Sequence, residues 1–583
     1  MNNNDEHLNN LRHSCAHLLA AAVIKLWPDA KNAIGPSIEN GFYQDFDMGD
    51  TKITEQDFEK IEEEMHKIVS SWDKFKVQEV SVEQAKKDFS WNLYKLELIE
   101  EFATEGKQIT ENDPGNFLDL CKGGHADNPS AELKHFKLLS VAGAYWKGSE
   151  KNKMLTRIYG TYFPTQKELE GYLAMVEEAK KRDHRKLGKD LGLFIFSDLV
   201  GAGLPLLTPK GATIRRELER FIVDEELKRG YQHVWTPPLA KVQLYETSGH
   251  YPYYKDTMYP PMKVDEEELI LRPMTCPHHF MLYKSQPRSY RELPVRLAEI
   301  SPQFRYEKSG ELTGLMRVRM FTLSDAHIIC TKDQAKEEIK KVLDLIQYVN
   351  KVFGLKSAED YRFRLSLGDR KDDKKYYKDD EAWDLAEQSL REVLKEAEAP
   401  FYEAENEAAF YGPKIDVQMK NVLGKEETAF TIQYDFVMPK RFELKYMDAE
   451  GGQKEPVVIH RSSIGAFERV MAFLIEHFAG AFPVWLSPVQ VQIIPIADRH
   501  LEYAHKVLEQ LSGIRAEIDS RAEKMQGKIR DAQLQKIPYM LIVGDREQEQ
   551  GKVAVRTREE KDLGAISTEE FINKIKLEIE SKS

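Results

Sequence analysis

Two pairs of histidine and cysteine side chains near the start of the chain share a spacing of four residues. His13 and His17 belong to RHSCAHLL, and Cys121 and His125 belong to DLCKGGHAD. Residues four apart on a helix lie on one face, so the two histidines would point together. Such groups could ligate zinc or position a hydrolytic water. The first pair alone is equally well explained by structural histidines, but the second pair favours a functional pocket.

The middle of the chain carries further histidines and cysteines whose spacing selects no particular group. They are Cys276, His278, His279, His327, Cys330 and His460. Three nitrogen or sulfur ligands with a fourth position open would form a catalytic rather than a structural zinc site. Composition leaves the choice among these residues open.

The segments that must position these side chains form three blocks. Residues 11–27 have helical apolar spacing, and the charged stretch 165–189 is typical of a helical connector. A helix over 211–229 then precedes short strands separated by turns, which predicts an antiparallel sheet with flanking helices. The last block alternates apolar strands with charged helices and predicts a small α/β domain with a mainly parallel sheet. The predicted fold is therefore α+β and multidomain, with domains at 1–182 (including the helical linker), 183–484 and 485–583.

Composition excludes several classes of protein. A chain of 583 residues with 41% hydrophobic and 31% charged residues is typical of a soluble protein with several cores. No apolar run reaches the ~20 residues that span a bilayer, and the start MNNNDEHLNN does not resemble a signal peptide. Four cysteines form no disulfide framework, so we expect a cytoplasmic protein. The net charge of −13 permits a nucleic-acid partner only at a local basic face.

Longer segments resemble the class II aminoacyl-tRNA synthetases. RLAEISPQFRYEKSGELTGLMRVRMFTLSDAHIIC resembles motif 2 in its threonyl version, VVIHRSSIGAFERV resembles motif 3, and the 211–229 helix resembles motif 1. The resemblance implies that Arg305 binds the α-phosphate and carboxylate of the substrates and that Glu307 accepts from the adenine amino group. It further implies that Phe321 stacks on the base and that Arg469 reaches the γ-phosphate. Arginine suits these roles because it neutralises the charge that grows as pyrophosphate leaves.

The resemblance to bacterial-type threonyl-tRNA synthetases covers nearly the whole chain. RHSCAHLL, DLCKGGH and VAGAYWKG are similar to the family's editing domain, and VQVQIIPI and IPYMLIVGDRE to its anticodon-binding domain. The family's zinc ligands fall on Cys276, His327 and His460. The other residues that the resemblance assigns are Arg317, Asp325, Tyr411 and Gln433 for threonine and ATP, His250 for transfer to the tRNA, Glu547 and Arg556 for the anticodon, and His13, His17, Lys95, Asp119, Cys121 and His125 for editing.

The resemblance implies a complete activity. The chain would activate threonine with ATP and Mg²⁺, transfer it to tRNA(Thr), and hydrolyse mischarged seryl-tRNA(Thr). It would hold one zinc ion per subunit in the middle domain and form a homodimer around segment 211–238. Whether the editing pocket holds a metal or a positioned water stays open.

The sequence also departs from the family pattern. Many members carry a ubiquitin-like domain ahead of the editing domain, and we expect it to be absent because RHSCAH begins at residue 12. Leu323 and Thr428 stand where many members have Gln, and Ala522 stands where Asn is common. Three alternatives are a prolyl- or seryl-type synthetase, a non-catalytic synthetase-like paralogue and a stand-alone editing hydrolase. The last two are disfavoured because the motif arginines are present.

Overall fold

The computed structural model describes residues 3–582, with side chains from residue 5 onward except those of residues 252 and 253. The chain divides into two compact units, Met1–Val176 and Glu177–Ser583. In the described range, no helix is both long and apolar enough to cross a membrane.

The described part of the first unit contains two antiparallel sheets and the helices α1 to α5, ahead of the connector. One sheet has the order β1-β3-β8-β7 with β2 added to β3, and the other has the order β4-β5-β6. The strands are β1 Lys31–Asn32, β2 Ser37–Ile38, β3 Gly41–Asp47, β4 Lys76–Glu79, β5 Thr110–Asp113, β6 Asp119–Leu120, β7 Phe136–Tyr145 and β8 Met154–Tyr162. The helices are α1 Asn3–Leu26, α2 Phe58–Val69, α3 Val82–Asp88, α4 Leu93–Thr104 and α5 Pro129–Glu132.

The predicted connector consists of two helices. Helix α6, Gln166–Arg182, crosses the boundary between the units, and helix α7, His184–Asp190, follows it. They are separate because the Asp183 backbone leaves the helical region and its side chain caps α7 by accepting from the Arg185 amide.

The centre of the second unit is an eight-stranded sheet with the order β11-β15-β16-β23-β20-β19-β17-β18. Only its two edge pairs are parallel, so the predicted antiparallel sheet is confirmed. Its strands are β11 Gln232–His233, β15 Val295–Phe304, β16 Met320–Cys330, β17 Tyr361–Ser366, β18 Phe401–Ala404, β19 Lys414–Lys420, β20 Glu426–Asp435 and β23 Val457–Ala466. The shorter strands nearby are β9 Phe194–Ile195, β10 Leu206–Leu207, β12 Leu239–Lys241, β13 Met262–Val264, β14 Glu267–Leu271, β21 Tyr446–Met447 and β22 Gln453–Lys454.

Helices cover this sheet. They are α8 Pro209–Lys228, α9 Val242–Ser248, α10 His250–Tyr253, α11 Cys276–Lys284, α12 Lys332–Val352, α13 Asp380–Glu396, α14 Met438–Arg441 and α15 Phe467–His477. Helix α12 shows why they pack there. Its Thr331 cap accepts from the Gln334 amide, and Ile339, Val342 and Ile346 place one fully buried stripe in the core.

The last block contains a five-stranded sheet with the order β25-β24-β26-β27-β28. Its elements are β24 Val491–Pro495, α16 Leu501–Gln510, β25 Ala516–Ile518, α17 Met525–Leu534, β26 Tyr539–Val543, α18 Asp545–Gln550, β27 Lys552–Thr557, β28 Asp562–Ser567 and α19 Thr568–Ser581. The predicted mainly parallel sheet is wrong for half of it, because β26, β27 and β28 pair antiparallel. The connection from β27 to β28 is short enough for a hairpin and too short for a parallel crossover.

A buried ion pair joins helix α8 to the central strand β23. The Arg461 Nη1 atom lies 2.6 Å from Glu226 Oε1, and both side chains are almost completely inaccessible to water. The same carboxylate oxygen also accepts from the Ser324 hydroxyl at 2.8 Å. Removing one partner of such a pair leaves an uncompensated charge in the core.

We expect the substitution Glu226→Ala to lower the free energy of unfolding of the second unit by about 3 kcal/mol, because Arg461 would remain buried without its counter-ion. The matched control is Glu219→Ala on the same helix, where a partly exposed pair with Arg215 is removed. That control should cost less than about 1 kcal/mol. Thermal and urea unfolding measure both variants, and equal destabilisation would contradict the role of the buried pair.

Candidate active site

The alternation of side chains along β16 separates the site from the core. Successive residues of a strand face opposite sides of the sheet. Ala326, Ile328 and Cys330 lie in the hydrophobic core. Asp325 and His327, on the other face, line a cavity of about 800 Å³. The pattern of the strand therefore fixes which residues reach the cavity.

Strand register brings distant residues together on that face. His327 lies directly opposite His460 on β23, and His460 lies directly opposite Gln433 on β20. Cys276, the first residue of helix α11, approaches from outside the sheet. The ligand atoms of Cys276, His327 and His460 all lie within 4.8 Å of one another, and the three side chains are buried. The structure thus selects this group from the histidines and cysteines of the middle block.

Each histidine of this cluster is oriented through one of its ring nitrogens. His460 Nε2 lies 2.7 Å from an Asp435 carboxylate oxygen, and His327 Nδ1 lies 2.8 Å from His279 Nδ1. His279 in turn contacts Glu299 at 3.3 Å. Partners of this kind fix the ring orientation of metal-ligating histidines. In each histidine the second ring nitrogen is then the one available to a metal.

The donor set fits zinc. Three nitrogen or sulfur ligands that leave one position open are typical of a catalytic zinc site. Burial lowers the pKa of His327 well below its usual value, so the imidazole is in the neutral form that a metal requires. Burial and the carboxylates of Asp325 and Asp435 raise the pKa of the Cys276 thiol. A thiol in these surroundings forms a thiolate only beside a cation.

The residues predicted for threonine lie beside the cluster. The Tyr411 hydroxyl donates to the Gln433 side-chain oxygen, and the Tyr411 ring stacks on His460 with 5.2 Å between centroids. The Gln303 amide donates to Asp325 Oδ2 at 3.2 Å. Burial raises the pKa of Asp325. The polar groups of this part of the cavity converge within reach of the metal ligands.

The residues predicted for ATP line the outer part of the same cavity. The Arg305 guanidinium lies over the Phe321 ring, 5.0 Å from its centroid. Arg317 pairs with the Glu307 carboxylate at 2.7 Å. Arg469 donates to the Met316 carbonyl at 3.3 Å and to the Thr428 carbonyl at 3.1 Å. Leu323, one of the departures, also lines the cavity.

His250 lies at the rim of this cavity and is held by its neighbour Ser248. The Ser248 hydroxyl donates to the Tyr245 carbonyl at 2.9 Å and lies 2.7 Å from His250 Nδ1. Because the hydroxyl proton is already used, His250 Nδ1–H donates to the Ser248 oxygen. Burial lowers the pKa of His250 to about 3, so its imidazole is neutral.

All four side chains of the N-terminal His/Cys group meet within the first unit. The ligand atoms of His13, His17, Cys121 and His125 lie within 4.8 Å of one another. Helix α1 supplies the two histidines from one face, and a turn after β6 supplies the other two residues. Two glycines with positive φ, Gly123 and Gly124, form this turn. His13 Nε2 lies 2.9 Å from Cys121 Sγ.

A buried chain of charges supports this group. Lys95 Nζ lies 2.6 Å from one Asp119 oxygen, and His17 Nδ1 lies 3.0 Å from the other. Burial opposes ionisation of His17, but hydrogen bonds to Asp119 and Cys121 outweigh it and raise the pKa of the imidazole. Burial also opposes the Cys121 thiolate, yet hydrogen bonds from His125, His13 and His17 lower the pKa of the thiol. These opposite shifts favour a thiolate on Cys121 and an imidazolium on His17.

Sequence reasoning missed the residues that orient the ligands. Asp435 lies outside the motifs, and Glu299 and Gln303 lie within the segment that resembles motif 2 but carried no predicted role. Asn32 was also missed; its amide donates to Asp119 at 3.1 Å. Glu547 and Arg556 lie on α18 and β27, in the last block of the chain.

Three parts of the chain match known families. Residues 259–478 match the class II core domain of the G, H, P, S and T tRNA synthetases. Residues 490–578 match the anticodon binding domain, and residues 113–159 match the second additional domain of threonyl and alanyl tRNA synthetases.

Whole-chain relatives agree with these matches. The chain is 52% identical over 579 residues to a threonine–tRNA ligase of Geobacillus sp. strain WCH70, covering 98% of this chain and 89% of that protein. It is 53% identical to threonine–tRNA ligase 1 of Bacillus subtilis, covering 98% of this chain and 88% of that protein.

Two solved structures that match this chain are also described as threonyl-tRNA synthetases. The crystal structure described as the RNA binding domain of threonyl-tRNA synthetase from Cryptosporidium parvum is 36% identical, with a TM-score of 0.64, and the match covers 68% of this chain and 98% of that one. A putative threonyl-tRNA synthetase from Aeropyrum pernix is 28% identical, with a TM-score of 0.61, and the match covers 69% of this chain and 97% of that one. These matches favour none of the alternatives considered above, and the chain belongs to the threonine–tRNA ligase family of class II synthetases.

Proposed function

We propose that the cavity of the second unit carries out the ligase reaction of the family, in which threonine and ATP give threonyl-adenylate and the threonyl group then passes to tRNA(Thr). The observation that supports this assignment is that the Cys276, His327 and His460 cluster lines the same cavity as Arg305 and Arg469. ATP would enter with Mg²⁺. The first unit would hydrolyse seryl-tRNA(Thr).

For adenylate formation, Arg305 would bind the α-phosphate and Arg469 the γ-phosphate. Positive groups already in place stabilise the charge that develops as pyrophosphate leaves. Glu307 would accept from the adenine amino group while Arg317 holds the carboxylate, as the 2.7 Å ion pair indicates. Phe321 would cover one face of the base.

For threonine selection, Cys276, His327 and His460 would hold a zinc ion, which when bound supplies a Lewis acid for the amino and hydroxyl groups of threonine. Asp325 and Tyr411 would hydrogen-bond the same two groups. Valine is nearly isosteric but lacks the hydroxyl, so Asp325 would lose the hydrogen bond from the substrate inside a buried site. A site built to bind a hydroxyl rejects such an analogue strongly.

Transfer to the tRNA would use His250 as a proton acceptor. The Ser248 contact places the proton of the neutral ring on Nδ1, which leaves the Nε2 lone pair to accept a proton from the ribose hydroxyl. Its lowered pKa keeps the ring unprotonated at neutral pH.

Serine retains the hydroxyl and lacks one methyl group, which a pocket distinguishes by only about 1–3 kcal/mol. A second, hydrolytic site is therefore needed, and we assign it to His13, His17, Cys121 and His125. Asp119 and Lys95 would hold His17 in place. A water that gives a proton to one of these groups would attack the seryl carbonyl carbon, and the ribose oxygen of the tRNA would leave with the proton that the group returns.

We further propose four properties of the whole chain. Domain boundaries lie at 182 and 484, and Glu547 and Arg556 contact the anticodon. The subunits pair around segment 211–238, because large apolar side chains there and just before it face solvent; these are Ile195, Phe196, Leu199, Val200, Leu227 and Trp235. The four unpaired cysteines favour the cytoplasm.

The substitution Cys276→Ala should abolish zinc binding and lower threonine-dependent ATP–pyrophosphate exchange more than about 100-fold, since even indirect changes around a metal site cost 10- to 100-fold. Metal analysis and exchange assays with threonine, serine and valine measure this. Cys330→Ala is the control, because Cys330 is equally buried on the same strand as His327 but lies outside the cluster. Full exchange by a zinc-free protein would contradict the ligand assignment.

The substitutions His13→Ala and Cys121→Ala should slow hydrolysis of seryl-tRNA(Thr) by about 100-fold or more, the usual contribution of a proton-transferring group. Threonine-dependent exchange should not change. His7→Ala is the control for the effect of losing a histidine from this helix, since the His7 side chain is half exposed. Hydrolysis at the normal rate in both variants would remove the editing role from this group.

The substitution Trp235→Glu should convert a dimer into a monomer, because Trp235 is 78% exposed in the single chain and a charge there would be buried on pairing. Sedimentation measures the change. Leu577→Glu, at another exposed apolar position in the last helix, should leave the dimer intact. A monomeric parent protein would overturn the proposal.

A further inference from the structure

A buried histidine connects helix α7 to the rim of the ATP cavity. His184 is the first residue of α7 and is only 3% exposed. Its Nδ1 atom lies 2.7 Å from Glu476 Oε1 on helix α15, and its Nε2 atom lies 3.1 Å from the Leu315 amide nitrogen in the loop between β15 and β16. Three segments distant in sequence therefore meet at one ring.

The direction of these hydrogen bonds follows from the chemistry of the partners. The Leu315 amide can only donate, so His184 Nε2 accepts and carries no proton. The ring proton is then on Nδ1 and is donated to the Glu476 carboxylate. Both ring nitrogens are thus engaged, and neither keeps a free lone pair in this arrangement, although the ligand atoms of His184, Asp183 and Glu476 lie within 4.8 Å of one another.

The loop between β15 and β16 packs tightly against the His184 ring. Gly314 has a φ of +48°, and a Cβ atom added there would lie 2.1 Å from His184 Nε2. A larger residue would displace either the ring or the loop.

This loop carries groups that face ATP. The residue after Leu315, Met316, accepts from Arg469 through its carbonyl at 3.3 Å. The next residue, Arg317, pairs with Glu307. A shift of the Leu315 amide would therefore move the partner of Arg469, which is predicted to bind phosphate. It would also move the partner of Glu307, which is predicted to bind adenine.

We propose that His184 is a positioning residue for ATP. It holds the 313–317 turn through the bond from the Leu315 amide, and Glu476 fixes the tautomer that makes this bond possible. The inference rests on the proposed function, since it assigns the cavity to ATP.

Two substitutions test the two hydrogen bonds of His184, to Leu315 and to Glu476, one at a time. In His184→Gln the side-chain oxygen can occupy the position of Nε2 and accept from Leu315. In His184→Asn the amide nitrogen can occupy the position of Nδ1 and donate to Glu476, but nothing reaches Leu315. Gly314→Ala provides an independent variant that displaces the ring while leaving His184 unchanged.

The measurement is ATP–pyrophosphate exchange with the full chain, giving kcat and separate KM values for ATP and threonine. We expect His184→Asn and Gly314→Ala to raise the KM for ATP about tenfold, the usual effect of one buried amide losing its acceptor. His184→Gln should stay within about twofold of the parent, and the KM for threonine should not change in any variant. Thermal unfolding establishes that each variant is folded.

Equal KM values for ATP in the Gln and Asn variants would overturn the inference. An equal rise in the KM for threonine would also overturn it. Either result would indicate that His184 contributes only to general packing. If the parent protein shows no threonine-dependent exchange, the proposed function fails. Calorimetric titration of the same variants with Mg-ATP would then still test His184: unchanged ATP affinity in the Asn and Gly314 variants would overturn its role, and weakened affinity in these two alone would support it.

Discussion

The pairing of β16, β23 and β20 is the constraint on which the active site depends. It places His327 opposite His460 and His460 opposite Gln433, so groups that we propose as metal ligands and as a substrate contact share one face. A slip of one residue would turn every side chain of a strand to the opposite face. Such a slip would put Ile328 and Ile459 into the cavity and the histidines into the apolar core. The packing energy of the core therefore also holds the register of the site.

A buried ion pair, whose charges are costly to remove from water, lies on the opposite face of the same strands. Arg461 follows His460 directly, so its side chain points away from the ligands and meets Glu226 of helix α8. This pair ties the helix that carries the predicted dimer segment to the strand that carries His460. A buried pair contributes less to stability than to fixing a unique arrangement, and here the arrangement concerns the site.

The sequence predicted those features that depend on local spacing. The i, i+4 spacing of His13 and His17 predicted a shared helix face, and both histidines do point into one group. It could not select Cys276, His327 and His460, because strand pairing between distant segments joins the two histidines and a helix brings Cys276 to them. Their selection required the family resemblance. Asp435 and His184 illustrate the same limit. Each acts through a partner far away in sequence, and neither belongs to a local pattern that predicts this contact.

The two His/Cys groups show how charged neighbours decide what the same residue types do. Cys121 is surrounded by three histidines, and the negative charges of its thiolate and of Asp119 are balanced by His17 and Lys95. Cys276 instead faces the carboxylates of Asp325 and Asp435, which oppose its ionisation. The first group is charge-balanced by its own side chains and suits proton transfer to and from a water. The second becomes balanced only when a cation joins it. This difference favours a metal at Cys276, His327 and His460 and a water at the N-terminal His/Cys group.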